Sequence, residues 1–415
     1  MLTPPFIYLI PPPGANGPPH FEMHVSGRRF VHLDMLRGLA AIGVVVGHIR
    51  GFLIVGYAAA GSHSLFDQLF YFVTGLGHQC VIAFFALSGF LVGGPALRDI
   101  IIGSWSWGPY ILQRLSRLWT VLIPALMLTW VLDTAGGALG GHAGYEGVFY
   151  SESSIGPSPA EPADLSLPRF LANILFLQTI LTPVFGSNGP LWSLANEFWY
   201  YITFPFLFSA LIGARGVLNR VCNALIGIAL VLFLPIEMTL LGAIWISGAI
   251  AHYAVSQQHR CRMINHPAWA AIVIIAVVTS LIFDKLIPGL LWDLLLGAAF
   301  AAVLSILTFV PTFGESYRKI ANALSNVSYT LYATHFPLLA FGWFVFFAPT
   351  KWPFGPLATV LMTGFGATAL VSSAVMWWAF ERNTNRIRKT IKQWAVSIHH
   401  SKPSTMAKSI LGCGK

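Results

Sequence analysis

The chain has 415 residues, of which 56% are hydrophobic and 9% charged. A soluble domain carries about 25% charged residues, so this composition excludes a soluble globular enzyme and indicates a polytopic membrane protein. The net charge of +9 does not point to nucleic acid, because Lys and Arg gather at the ends of apolar segments, as membrane orientation requires.

Residues 1–30 include the run PPPGANGPPH and predict a disordered cytoplasmic tail. The opening MLTPPFIYLI has no basic start and contains prolines, so no cleaved signal peptide is expected. About ten apolar runs follow, each judged against the ~20 residues that span a hydrocarbon core. They cover roughly 36–57, 76–97, 115–136, 190–213, 220–237, 238–256, 268–284, 289–311, 324–348 and 356–380. A weaker run at 170–184 is short and ends at Pro183. The fold class is therefore all-α, a multi-pass protein of the cell membrane (the inner membrane in a bacterium).

The distribution of Lys and Arg sets the orientation. With the amino terminus in the cytoplasm, 58–75 is an outer loop without Lys or Arg. Segment 137–189 is an extracytoplasmic cap rich in acidic residues, with 170–184 re-entrant or interfacial. Arg98, Arg114, Arg117, Arg215, Arg220, Arg260, Arg262, Arg318 and the basic stretch after Glu381 then fall inside, with both termini. Residues 31–392 form the membrane domain and 393–415 a cytoplasmic tail. Cys80, Cys222, Cys261 and Cys413 show no metal or disulfide-framework spacing. No metal site is expected.

Ionisable groups inside membrane helices are costly and usually functional. In LDMLRGLAAIGVVVGHIR, Arg37 and His48 stand eleven residues apart. On a helix that spacing returns them to one face, about 16 Å apart along the axis. Ser88 lies in FFALSGFLVGG, Arg114 and Arg117 in QRLSRLW, Glu197 in GPLWSLANEFWYY, His335 in SYTLYATHFP and Glu381 in FERNTNR. The orientation sorts them into two layers. Arg37, Arg114, Arg117 and Arg382 converge at the inner face, where Arg suits phosphate oxygens. His48, Glu197 and His335 fall at mid-membrane or beyond, where His and Glu suit acid–base work on a hydroxyl. Structural roles compete. The arginines could be orientation anchors, and His335 could satisfy backbone freed by Pro337. Ser88 could bond back to a helix carbonyl, and Glu381 could snorkel to the interface.

These five motifs, in this order, resemble the acyltransferase-3 family of integral-membrane acyltransferases over Leu33 to about Arg388. Two positions depart from the family pattern. Asn196 stands before Glu197 where a second acidic residue is common, and Asn383 follows Glu381 and Arg382 where proline is common. The resemblance implies transfer of an acyl group, most often acetyl, from cytoplasmic acyl-CoA to a hydroxyl of a carbohydrate or lipid-linked glycan. Such O-acetylation is a form of polysaccharide modification. Arg37, Arg114 and Arg117 would then bind the CoA phosphates, with His48 as general base or transient acyl carrier. Glu197 would orient His48 or receive the acceptor proton, with His335 as a second candidate and Ser88 near the oxyanion. The competing class is a proton-coupled transporter or flippase, which would also use buried His and Glu but has no need of a phosphate cradle.

Overall fold

The computed structural model describes residues 30–213, 216–257 and 266–400. The expected amino-terminal tail, Arg215, Arg260, Arg262, Cys261 and the chain from 401 lie outside the described residues.

The described chain is all-α, with no β-strand. Helix α1 spans Val31–Leu53, α2 Leu65–Thr74, α3 Gly77–Ser88, α4 Gly94–Ile101 and α5 Trp107–Gly136. The short α6 (His142–Tyr145), α7 (Tyr150–Ser153) and α8 (Leu167–Ile174) follow. Then come α9 (Trp192–Ile212), α10 (Val217–Phe233), α11 (Ile236–Ser256), α12 (Pro267–Leu286) and α13 (Leu290–Leu307). The chain closes with α14 (Glu315–Phe346), α15 (Pro356–Ala379) and α16 (Thr384–His400).

Every predicted apolar run is helical. Among the described residues, 7 helical stretches are long and apolar enough to cross a membrane. The 17-residue α10 is shorter, and α9 and α14 fall outside the group. These last two carry Glu197 and His335, so the polar groups that lower their hydropathy are the candidate site residues. At 32 residues α14 is about 48 Å long, well beyond a hydrocarbon core of ~30 Å.

The expected outer loop 58–75 contains a helix instead. Ser64 caps α2 by accepting from the Asp67 backbone N–H, and the Asp67 carboxylate answers from the Ser64 backbone N–H. Segment 170–184 holds only the 8-residue α8 before the chain turns back on itself, too short to span. Residues 393–400 continue α16 rather than starting a tail.

Two devices place the site. First, α1 makes its most extensive packing against α14. Phe52, Leu53, Phe336, Leu339 and Trp343 fill the seam. Second, the backbones of α3 and α11 nearly touch. A Cβ at Gly89 would land on the Trp245 carbonyl, and one at Gly248 on the Ala86 carbonyl. Small residues permit that approach. The chain then passes Gly89–Gly93 as a π turn, a device often found at functional sites. It starts directly after Ser88.

Candidate active site

Helices α1, α3, α5, α9 and α14 enclose a cavity of about 250 Å³. Three arginines line it: Arg37 from α1, and Arg114 and Arg117 from α5. The last two are three residues apart and share a helix face. Arg37 bonds Ser325 Oγ at 3.3 Å and lies 3.9 Å from Asp34, with Ser325 also donating to Asp34 at 2.8 Å. Arg114 stands 5.9 Å over the Tyr201 ring and Arg117 5.8 Å over the Tyr329 ring. Such a cation–π contact leaves guanidinium N–H groups free for a ligand. Arg114 Nε is buried without a hydrogen-bond partner.

Ser88 and Glu197 line the same cavity. Ser88 Oγ donates to Glu197 Oε1 at 2.7 Å and receives the Trp245 indole N–H at 3.1 Å. Tyr201, one turn after Glu197, donates its hydroxyl to the same carboxylate oxygen. The back-bonding role for Ser88 is not what the structure adopts. Glu197 therefore belongs to the arginine layer, where its charge acts on Arg37 and Arg117. The expected pairing of Glu197 with His48 is corrected here. Asn196 faces away from the cavity and bonds the Tyr200 hydroxyl at 3.4 Å.

His48 meets His335 instead. His48 Nδ1 lies 2.8 Å from His335 Nε2. His335 is fully buried, and its Nδ1 is 2.9 Å from the Leu331 carbonyl. A carbonyl can only accept, so His335 carries its proton on Nδ1 and accepts at Nε2. His48 must then donate from Nδ1, which leaves the lone pair on His48 Nε2. The network thus fixes both tautomers. His335 does not rescue the backbone freed by Pro337. A proline removes the bond to the carbonyl four residues back, here Ala333, and Asn188 Nδ2 donates to that oxygen at 2.9 Å.

Tyr332 connects the two layers. It lines the cavity, its hydroxyl meets Ser193 Oγ at 2.6 Å, and its ring lies 6.1 Å from that of His335. Neither histidine lines the cavity.

Glu381 stands beside the arginines without lining the cavity. Thr330 Oγ1 donates to it at 2.5 Å, and its charge attracts Arg117 and Arg37. Arg382 turns away, 5.0 Å over the Trp378 ring, so the expected inner cluster does not include it. Residue spacing gave a usable sign for Tyr201, four places after Glu197, and for Tyr329 and Tyr332 in the motif SYTLYATHFP. Trp245 has no such sign, because a chain crossing alone brings it to Ser88. Among the described residues, no group of three or more His, Cys, Asp or Glu is placed to hold a metal ion.

The family model Acyl_transf_3, an acyltransferase domain, matches residues 30–377. No curated protein and no solved structure matches the chain. The matched region takes in Arg37, Ser88, Arg114, Arg117, Glu197 and the His48–His335 pair alike, and the chain belongs to the acyltransferase-3 family as a multi-pass membrane acyltransferase.

Proposed function

We propose that the protein transfers an acyl group, acetyl by family resemblance, from cytoplasmic acyl-CoA to a hydroxyl of an extracytoplasmic or lipid-linked glycan. The observation that carries this reading is one helix, α1, placing Arg37 in an arginine-lined cavity and His48 in a tautomer-fixed histidine pair. In this reading both termini are cytoplasmic, and the arginine end of the cavity opens to the cytoplasm.

The CoA phosphates meet Arg37, Arg114 and Arg117, whose guanidinium forks suit them. The pantetheine arm runs up the cavity and carries the thioester toward His48. The His48 Nε2 lone pair takes the proton of the acceptor hydroxyl as its oxygen attacks the thioester carbonyl. The C–S bond breaks, and the imidazolium returns the proton to the CoA thiolate. His335 holds the His48 Nδ1 proton throughout and keeps Nε2 basic. The same lone pair serves a two-step route, in which His48 Nε2 takes the acyl group first and the hydroxyl then displaces it.

The test is release of free CoA thiol from acetyl-CoA by the purified protein in lipid, with and without cell-envelope glycan extract. Turnover in the native protein that His48→Ala abolishes is the expected result. No release with extract present, together with no acetyl-CoA binding, would overturn the acyltransferase reading in favour of a carrier.

A further inference from the structure

The cavity holds about 250 Å³, less than the roughly 300–1,000 Å³ of a site for a drug-sized ligand. Acyl-CoA exceeds that size, so its nucleotide end must stay outside, at the arginine mouth. The mouth carries a cation that no sequence motif signals. Arg388 projects from α16 onto α5, where its Nε donates to Ser116 Oγ at 3.1 Å and its Nη2 to the Gln113 carbonyl at 3.5 Å. Its Nη1 reaches Asn385 Oδ1 at 3.4 Å. Ser116 lies between Arg114 and Arg117, and both repel Arg388.

Among the described residues, none of these three arginines makes an ion pair. The nearby carboxylates are engaged: Glu197 by Ser88 and Tyr201, Glu381 by Thr330. Like charges gathered this closely are unfavourable unless an anion joins them. A CoA carries its diphosphate next to the pantetheine arm and its 3′-phosphate at the far end of the ribose. With the arm in the cavity, the diphosphate falls to Arg114 and Arg117, and the 3′-phosphate reaches outward along α5 toward α16.

We propose that Arg388 binds the 3′-phosphate of the acyl donor and makes the protein select CoA over pantetheine carriers that lack this group. The proposal rests on the acyl-CoA reading given above. Two other roles for Arg388 are open to the same test: docking α16 to α5, and contact with anionic lipid.

The full-length protein in phosphatidylcholine nanodiscs is titrated with CoA and with 3′-dephospho-CoA. The native protein binds CoA roughly tenfold more tightly, the size of one charge-assisted contact. Arg388→Gln binds both ligands as the native protein binds dephospho-CoA. Arg388→Lys retains part of the preference, and Ser116→Ala, which removes only a docking bond, retains it all. Arg117→Gln weakens both ligands alike. An Arg388→Gln protein that loses affinity equally for both ligands, or keeps the native ratio, overturns the proposal. So does a ratio that depends on adding phosphatidylglycerol to the disc, which assigns Arg388 to the lipid surface. Absence of any CoA binding by the native protein removes the donor reading itself, and this inference with it.

Discussion

His48 and His335 lie 287 positions apart and meet at 2.8 Å. The pairing gives each histidine a different task. His48 presents its lone pair, while His335 holds the tautomer and touches no reacting atom. Replacing His335 by Ala should lower the rate of CoA release by about 10²-fold while leaving CoA affinity unchanged, against complete loss in His48→Ala. An equal loss in both variants would mean that His335 reacts directly. Glu197 separates two readings in the same way. As a negative charge beside phosphate ligands, it weakens their binding, so Glu197→Gln should tighten CoA several-fold. As an acid or base in the chemistry, it would instead lower the rate with affinity unchanged. The residues Arg37, Arg114, Arg117, Ser88 and Glu197 were legible from motif spacing, and one cavity does gather them. The depth of Glu197 was not. Counting turns from the start of α9 assumes that the helix begins at the membrane surface. Here Ser187, Asn188, Pro190 and Leu191 are already buried before α9 begins, so Glu197 sits in the arginine layer.

At the scale of elements, two helices that frame the site contain proline, and each freed carbonyl has found a partner on another element. Pro337 releases the Ala333 carbonyl to Asn188, and Pro205 releases the Tyr201 carbonyl to the Tyr110 hydroxyl at 3.2 Å. Asn188 also donates to Thr129 at 3.1 Å, while Asp133 holds neighbouring Ser187 through its backbone N–H at 2.6 Å and its hydroxyl at 2.8 Å. The segment before α9 thus clamps α5 to α14 one turn from His335. Asn188→Leu should destabilise the protein by about 1–3 kcal/mol, the cost of leaving a buried carbonyl unpaired. It should also reduce turnover beyond what the lost folded fraction explains, because Ala333 is two residues from His335. Thermal unfolding and CoA release on the same preparation separate the two effects. Sequence pattern located α5, α9 and α14 but no partner for their freed groups, since those partners are set by chain crossings with no local period. The capped α2 was readable in principle: Ser64 and Asp67 hold the spacing of a capping box, with Asp in place of the usual Glu or Gln.

For the whole molecule, the amino-terminal sidedness follows from charge alone and is open to direct labelling. In a variant lacking the native cysteines, Ser151→Cys in the outer segment should react with a membrane-impermeant thiol reagent on intact cells. Asn385→Cys, at the start of α16, should react only after permeabilisation. The reverse pattern would invert the protein and put the arginine mouth on the wrong side for cytoplasmic CoA. Hydropathy made the membrane class plain from composition. It understated α9 and α14, because a helix that lines a reaction chamber loses apolar character where it works. That chamber ends at Tyr332, pinned by Ser193 and the Pro190 carbonyl at 3.2 Å, with the reactive histidine on the far side. Water that follows the donor into the chamber therefore finds no base there, and the thioester is shielded from idle hydrolysis until an acceptor arrives. Tyr332→Ala should make the protein leak, consuming acetyl-CoA several-fold faster than the native chain when no acceptor is present.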